Sequence, residues 1–86
     1  MRLAFEVEAW EHFLSWQDTD KAAFRKLTAL LKECQGHPFD GTGKPEPLKG
    51  ELAGYWSRRI THEHRLVYRV QGGALEILSC RFHYNP

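Results

Sequence analysis

The sequence predicts an α+β fold in which a helical hairpin packs on one face of a small, mainly antiparallel, twisted β-sheet. Apolar residues in the first half of the chain recur at spacings of three and four, as they do in amphipathic helices. In the second half, apolar and polar residues alternate, as they do in half-buried strands. Because the chain has 86 residues, we expect one small domain that spans residues 1–86.

The composition is that of a globular protein, since 42% of the residues are hydrophobic and 27% are charged. No apolar stretch approaches the roughly 20 residues that cross a bilayer, and the amino terminus turns acidic at Glu6, where a signal peptide would be apolar. We therefore expect a cytoplasmic protein that does not bind membranes. Cys34 and Cys80 stand far apart with no neighbouring cysteine, which predicts two buried free thiols.

The first half of the chain predicts a short strand at Arg2–Phe5 and then two helices. The first helix is predicted over residues 8–16, with Trp16 partly off its apolar stripe. That stripe consists of Ala9, Trp10, Phe13, Leu14 and Gln17. Asp18-Thr19-Asp20 offers an N-cap for the second helix, and Gly36 ends it. Its apolar positions are Ala23, Phe24, Leu27, Leu30, Leu31 and Cys34.

Residues 36–50 are rich in glycine and proline, which predicts an irregular but rigid path without regular structure. Glu46 lies between Pro45 and Pro47, and the prolines restrict the backbone on each side of it. A carboxylate on such a braced segment loses less conformational entropy when it is aimed at a substrate.

The alternation in the second half predicts strands over residues 55–60, 65–70 and 74–84, joined by turns at residues 61–64 and 71–73. The predicted core face consists of Trp56, Ile60, Leu66, Tyr68, Val70, Leu78, Cys80 and Phe82. The opposite face gathers Tyr55, Ser57, Arg59, Arg65, Val67, Arg69, Ser79, Arg81 and His83. Arg58 has the parity of the core, and we expect it at a sheet end where its guanidinium reaches water.

Four arginines and a histidine therefore share one predicted face of the sheet. The net charge is only +1, which argues against nucleic-acid binding through bulk charge. Residues 1–43 hold five Lys/Arg against seven Asp/Glu, whereas residues 44–86 hold seven against four. Four acidic residues cannot pair all the arginines of that half, which suggests an anion such as phosphate as their partner.

A carboxylate, clustered arginines and a late histidine are the groups that metal-free RNA cleavage needs: a base, positive charge for the phosphorane and an acid. Glu46 and His83 are the acid–base candidates, and Tyr84 is a candidate for stacking on a base. Commoner explanations remain open. Glu46 is then an exposed loop carboxylate, Arg59 and Arg65 pair with Glu63 or Glu76 across the strands, and His83 is a polar edge residue.

A metal site at His62-Glu63-His64 is disfavoured, because this segment lies in a predicted turn and no third ligand has a suitable spacing. No metal or organic cofactor is expected.

Five segments, TDK, KPEPLK, GYWSRRIT, EHRLVY and CRFHY, occur in an order and spacing that resemble the YoeB group of the RelE/ParE toxin superfamily. The resemblance covers essentially the whole chain and implies the RelE-like microbial ribonuclease fold. It further implies a ribosome-dependent mRNA interferase, an endoribonuclease toxin of a bacterial type II toxin–antitoxin system that inhibits translation.

The resemblance also implies roles for single residues: Glu46 as general base, Arg65 as stabiliser of the phosphate and transition state, His83 as general acid and Tyr84 as base-stacking residue. Lys49 and Arg59 match the supporting cations of the group. Arg81 is added as a substrate-binding residue, from its place on the predicted arginine face.

The partners implied by the resemblance are a YefM-like cognate antitoxin, the ribosome and mRNA, with operator DNA contacted only through the antitoxin complex. A homodimer is also implied. Asn85 and Pro86 follow the His-Tyr pair that commonly closes the chain in this group. Two alternatives are a non-catalytic gyrase inhibitor of the ParE type and a transcriptional corepressor bound to its antitoxin. Glu46 and His83 favour the nuclease, because a gyrase inhibitor needs no acid–base pair.

Overall fold

The computed structural model describes residues 1–81, and its architecture is α+β, as predicted. Along the chain, β1 (Arg2–Phe5) is followed by α1 (Val7–Thr19) and α2 (Lys21–Gly36). The remaining strands are β2 (Glu46–Pro47), β3 (Trp56–Arg59), β4 (Arg65–Gln71) and β5 (Ala74–Ser79). A short 3-10 helix, Gly50–Leu52, lies between β2 and β3.

The five strands form one sheet in the order β1-β5-β4-β3-β2. β1 runs parallel to β5, and all other neighbours in the sheet are antiparallel, which confirms the mainly antiparallel sheet. The last strand was predicted to reach residue 84 and ends at Ser79. Phe82, predicted in the core, lies outside the described residues, as do His83, Tyr84 and the two residues after them.

The two helices form the predicted hairpin, with Asp20 at its corner. The Asp20 backbone N–H donates to the Trp16 carbonyl (3.0 Å) at the end of α1, and its carboxylate accepts from the Ala23 N–H (3.0 Å) at the start of α2. An aspartate here satisfies a free N–H group and complements the helix dipole. α2 ends at Gly36, as predicted. Neither described helix is both long and apolar enough to cross a bilayer.

The buried face of α1 differs from the predicted apolar stripe. Ala9, His12 and Trp16 are buried, whereas Trp10 is 47% exposed and Leu14 is 42% exposed. Trp16 turns inward because its indole N–H finds a buried acceptor, the carbonyl oxygen of Cys80, at 2.8 Å. Ala9 and Phe13 of the predicted stripe thus belong to the core or pack against it, whereas Trp10 and Leu14 do not and His12 and Trp16 were missed.

The core lies between the helices and one face of the sheet, with Leu27 and Leu30 of α2 packed over Leu66 of β4 and Ile77 of β5. Burying each such side chain contributes about 1.5–3 kcal/mol. Cys34 and Cys80 are buried free thiols, as predicted. Burial raises the pKa of the Cys80 thiol to about 12.

A β-bulge in β5 reverses the predicted alternation. Val67 pairs with Ser79, but the next residue of β4 pairs with Ile77, so Leu78 is an extra residue on β5. Leu78 was predicted in the core and is only half-buried, whereas Ile77 is fully buried. Beyond the bulge the parity is restored, and Cys80 is buried as predicted.

One further prediction from parity needs correction. Val70, predicted in the core, is 37% exposed, because it lies one residue from the end of β4. Val67 lies on the arginine face, as predicted, between Ser57 of β3 and Ser79 of β5, and it is fully buried. On this face of the sheet, Val67 and the two serines beside it thus lie between Arg65 and Arg69 of β4.

The glycine- and proline-rich segment contains regular structure that the sequence did not predict. Glu46–Pro47 forms β2 at the sheet edge, where Glu46 pairs with Ser57 and Pro47 pairs with Trp56. An edge strand tolerates proline because one side of its backbone has no ladder partner. Glu46 is therefore held by the sheet as well as by its neighbouring prolines.

Candidate active site

Three charged side chains meet on the face of the sheet away from the helices, at its β2–β3–β4 edge. Arg59 of β3 lies directly opposite Arg65 of β4. Glu46 lies opposite Ser57, two residues before Arg59, so its side chain starts from the same face. Like charges directly across a strand pair destabilise a sheet unless an anion neutralises them. This pair of arginines therefore favours a bound phosphate.

The charges of these three residues act on one another. Partial burial lowers the pKa of Arg65, the Arg59 guanidinium lowers it further, and the Glu46 carboxylate raises it. Because an arginine stays charged far above neutral pH even when its pKa falls, Arg65 remains a fixed positive charge. Residues predicted from strand parity and loop rigidity thus come together in one place.

Arg65 is fixed by the turn that precedes β4. Its Nη1 atom donates to the carbonyl oxygens of Thr61 (3.1 Å), His62 (3.0 Å) and His64 (3.3 Å). The turn itself is closed by the Thr61 hydroxyl, which accepts from the N–H groups of Glu63 (3.2 Å) and His64 (3.1 Å). Within residues 1–81, Nε and Nη2 of Arg65 make no hydrogen bond, and these two nitrogens are free to bind an anion.

Glu46 and Lys49 are both exposed. Neither side chain forms an ion pair or hydrogen bond with any other residue of the described part. Lys49 precedes the short helix Gly50–Leu52 and its carbonyl accepts from the Leu52 N–H at 3.3 Å. The backbone of both residues is therefore held while their charged groups reach solvent.

Arg58 is the largest departure from the sequence prediction. We expected its guanidinium to reach water at a sheet end, and the residue is fully buried. Its guanidinium donates to the carbonyl oxygens of Thr42 (3.1 Å), Asp40 (2.7 Å) and His37. It also donates to Glu33 Oε1 (2.7 Å) and to the Tyr68 hydroxyl (3.1 Å). We call this set of contacts the Arg58 clamp.

The Arg58 clamp holds the loop at residues 37–42, which leads to β2 and Glu46. Glu33 closes the loop from α2 by accepting from the Thr42 N–H (2.6 Å) and the Thr42 hydroxyl (2.9 Å). These bonds and Arg58 lower the pKa of Glu33 to about 2. A Cβ at Gly41 would lie 1.9 Å from Glu33 Oε1, and its φ of +117° suits only glycine.

Sequence reasoning missed the clamp, although one signal for it was present. Glycines and prolines in the segment leave carbonyl groups without ladder partners, and these groups need a donor. Arg58 has the parity of the core and lies close to this segment in the sheet, so its guanidinium is a suitable donor. The partner Glu33 has no comparable signal, because it lies on a different element, 25 residues before Arg58.

Arg69 and Arg81 do not join the Arg59–Arg65 pair as the predicted arginine face required. Arg69 forms an ion pair with Glu76 at 2.6 Å and lies over the Tyr55 ring at 5.0 Å. Glu76, left open as a partner of Arg59 or Arg65, is therefore bound by Arg69 instead. The Arg81 guanidinium lies over the Trp16 ring of α1 at 4.9 Å. The chain leaves β5 at Ser79, so strand parity no longer sets the direction of Arg81.

His83 and Tyr84 fall outside the described residues, so their predicted roles rest on the sequence. Among residues 1–81, no group of three His, Cys, Asp or Glu side chains is arranged to hold a metal ion.

Comparison with known proteins identifies the family. The family described as "YoeB-like toxin of bacterial type II toxin-antitoxin system" matches residues 5–84. The chain belongs to this family. Toxin YoeB of Escherichia coli K12 is 52% identical over 84 residues, which cover 98% of this chain and 100% of the relative. Toxin RelK of Mycobacterium tuberculosis is 54% identical over 80 residues, which cover 93% and 94%.

Solved structures of the same family superpose closely on this chain. A YoeB/ParE toxin from Agrobacterium tumefaciens has a TM-score of 0.94 at 51% identity and covers 98% of this chain and 100% of its own. A YoeB–YefM complex from Staphylococcus aureus has a TM-score of 0.88 at 42% identity, with 98% of each chain covered. YafQ from E. coli, at 17% identity and a TM-score of 0.72, shares the fold.

Proposed function

We propose that this protein is a ribosome-dependent endoribonuclease that cleaves mRNA and thereby inhibits translation. Glu46 takes the proton of a ribose 2'-hydroxyl, and the resulting oxygen attacks the adjacent phosphorus in line. The bond from phosphorus to the 5'-oxygen breaks, and His83 protonates that leaving oxygen. The products are a 2',3'-cyclic phosphate and a 5'-hydroxyl.

The observation that carries this proposal is the Arg59–Arg65 pair beside Glu46 on one face of the sheet. Two facing guanidinium groups suit the charge that develops on the phosphorane, and Arg65 has two nitrogens without partners among residues 1–81. Lys49 and Arg81 add positive charge along the RNA, and Tyr84 stacks on a base. No metal ion is required, since base, acid and fixed charge are all supplied by side chains.

The ribosome is the partner that supplies alignment of the message. A net charge of +1 gives little bulk attraction for RNA, so a larger complex must bring the substrate to the site. This assigns the protein to the cytoplasm, where translation takes place.

We also propose a YefM-like antitoxin and a homodimer, because solved YoeB relatives from S. aureus occur as a YoeB–YefM complex and as a YoeB dimer. Operator DNA would then be contacted only through the antitoxin complex. Expression of this chain alone is expected to stop growth, and a co-expressed antitoxin is expected to restore it. Unimpaired growth and translation without any antitoxin would refute the toxin assignment.

The catalytic proposal is tested by mapping cut sites and end groups on a translated message, with purified protein and ribosomes. Glu46→Gln is expected to slow single-turnover cleavage by roughly 10² to 10⁴-fold, because the general base is lost. Glu51→Gln is the matched control, since Glu51 is an exposed carboxylate of the adjacent short helix. Its cleavage rate should equal that of the wild type.

Three results would contradict the proposal. They are cleavage that needs added magnesium and leaves a 5'-phosphate, an unchanged rate in Glu46→Gln, and arrest of translation with the message intact. The last would favour a binding-only inhibitor. A collapse of the melting temperature in Glu46→Gln would show that Glu46 is structural.

A further inference from the structure

The turn before β4 leaves one particular edge of the Arg65 guanidinium free. The carbonyl oxygens of Thr61 (3.1 Å), His62 (3.0 Å) and His64 (3.3 Å) all accept from Nη1. Nε and Nη2 lie side by side on another edge of the guanidinium plane and make no hydrogen bond within the part of the chain that the structure describes. Two parallel N–H groups of this kind can bind two oxygens of one phosphate.

The Thr61 side chain keeps this turn in shape. Its hydroxyl oxygen accepts from the backbone N–H groups of Glu63 (3.2 Å) and His64 (3.1 Å). A threonine that binds the backbone ahead of it in this way stabilises a turn that has no strand ladder of its own. The three carbonyl groups that accept from Arg65 belong to this same turn, so the Thr61 hydroxyl acts on the guanidinium through them.

The strand pairing alone does not set the direction of the guanidinium. Arg65 lies opposite Arg59 in a regular ladder, which fixes where the Arg65 side chain begins. The His64 carbonyl also accepts from the N–H groups of Ile60 (2.9 Å) and Thr61 (3.3 Å), so the base of the turn is joined to the strands. A long arginine side chain keeps many rotamers unless its far end is bound. The turn is what binds that end.

We propose that Thr61 is a positioning residue, which holds the Arg65 guanidinium so that Nε and Nη2 bind two oxygens of the scissile phosphate. This inference rests on the proposed function, because only then is the scissile phosphate the anion at Arg65. Arg59, directly opposite, adds a second positive charge, and Glu46 starts from the same face of the sheet. The phosphate is thereby held next to the base that activates its neighbouring 2'-hydroxyl.

A purely structural role for the Thr61 hydroxyl predicts a different result. The hydroxyl would then contribute to stability alone, and a folded variant without it would cleave as fast as wild type. A misaligned Arg65 keeps its charge, so binding to the ribosome and message should persist. What is lost is the alignment of two donors with the charge that develops on the phosphorane. The proposal therefore places the effect in the cleavage step and not in binding.

The test compares two substitutions at Thr61. Thr61→Val has a similar shape and no acceptor, whereas Thr61→Ser keeps the hydroxyl oxygen. Thr28→Val is the matched control, because the Thr28 hydroxyl donates to the Arg25 carbonyl of α2 (3.0 Å) and takes no part in the turn. Single-turnover cleavage on programmed ribosomes at saturating protein should fall at least about tenfold in Thr61→Val and stay within about threefold of wild type in the other two. The protein concentration that gives half of the maximal rate should be unchanged in all three.

Melting curves of all variants come first, and cleavage is measured at a temperature where each is folded. A loss of cleavage that Thr61→Ser shares with Thr61→Val would overturn the role of the hydroxyl. An equal loss in Thr28→Val would show that removal of any threonine hydroxyl has this effect, and the positioning role would again be overturned.

A second readout does not depend on cleavage. Inorganic phosphate is titrated into the protein, and the NMR signal of the Arg65 Nε–H is followed, assigned as the signal that Arg65→Lys removes. We expect this signal to shift as phosphate binds to the wild type. Thr61→Val should weaken the binding at least about threefold, and Thr61→Ser should leave it unchanged. A wild-type signal that does not respond to phosphate, or equal phosphate affinities in wild type and Thr61→Val, overturns the inference.

The two readouts separate failure of this inference from failure of the proposed function. If the wild type cleaves and Thr61→Val cleaves equally fast, only the inference fails. If phosphate binds at Arg65 as expected but the wild type leaves a translated message intact, the proposed function fails. The role of Thr61 in cleavage then fails with it.

Discussion

Two regions of the molecule hold irregular backbone in place, and they do so by different chemistry. The loop at residues 37–42 is held from inside by a charged group, Arg58, with Glu33 as its counterion. The strand exit at Cys80 is held by the neutral side chains of His12 and Trp16. One region leads to Glu46, and the other follows the end of β5.

The difference follows from what each stretch of backbone leaves unpaired. The loop presents several carbonyl groups that converge on one point, and a guanidinium has five N–H donors in a fixed plane to meet them. Burying that charge requires a carboxylate close by, which Glu33 provides. Cys80 presents a single N–H and a single carbonyl, and one acceptor and one donor suffice. The Arg58 clamp and the contacts at Cys80 should therefore fail by different amounts and at different pH values.

Removal of Arg58 should produce the largest effect. Arg58→Met is expected to lower the free energy of unfolding by about 3–5 kcal/mol, because it leaves Glu33 and the loop carbonyls without their donor. Arg59→Met is the matched control, since the neighbouring guanidinium is exposed, and it should change stability by less than about 0.5 kcal/mol.

Urea unfolding measures both free energies. Equal losses for the two variants would show that burial of Arg58 contributes nothing to folding. Where Arg58→Met remains folded, cleavage should also fall, since the loop that leads to Glu46 is released.

The pH dependence of stability separates the Arg58 clamp from the contacts of His12 and Trp16 with Cys80. Because the folded pKa of Glu33 is about 2, below its ordinary value of 4.5, its contribution is fully present above about pH 4.5 and is lost as the pH falls toward 2. Glu33→Gln should therefore be less stable than wild type at neutral pH and converge with it in acid. His12→Asn, which keeps an acceptor for the Cys80 N–H, should differ from wild type in a higher window, below about pH 6.5, because burial lowers the pKa of His12.

Unfolding free energies measured in urea from neutral pH down to about pH 3 report both windows. A wild-type curve that runs parallel to that of Glu33→Gln over this range would refute the role given to the carboxylate.

The sequence predicted the parts of this fold that depend on local pattern. The α2 helix, its cap at Asp20 and its end at Gly36 follow from short-range rules, and they were found. Glu46, Arg59 and Arg65 came together because no bulge interrupts the pairing of β3 with β4. Parity arguments are reliable as long as the strand pairing is regular.

The features that were missed depend on contacts between distant residues. Leu78 was misplaced because a bulge shifts the parity of β5. Ile77 and Leu78 are consecutive apolar residues, and the sequence does not show which of the two faces the core. Part of the buried face of α1 was missed because His12 and Trp16 bind the backbone of Cys80, far along the chain. Arg58 was expected in water because burying an arginine is costly unless it has hydrogen-bond and ion-pair partners. Its partners lie in the loop and on α2, and the sequence does not show that they are close to it.

The ion pair between Arg69 and Glu76 allows a buried arginine to be compared with an exposed one, and its removal should have the smallest effect on stability. Its N–O distance, 2.6 Å, nearly equals the 2.7 Å between Arg58 and Glu33. The exposure differs, however. The side chains of Arg69 and Glu76 are both about one-third exposed, whereas the side chain of Arg58 is fully buried. Arg69→Met should therefore lower the melting temperature by less than about 4 °C.

The salt dependence of the melting temperature tests whether exposure is the reason for that small effect. In about 1 M NaCl the effect of Arg69→Met should shrink, because solvent ions screen an exposed pair, while that of Arg58→Met should persist. A loss in Arg69→Met that matches Arg58→Met and resists salt would contradict this explanation. Distance, and not burial, would then set the strength of an ion pair in this sheet.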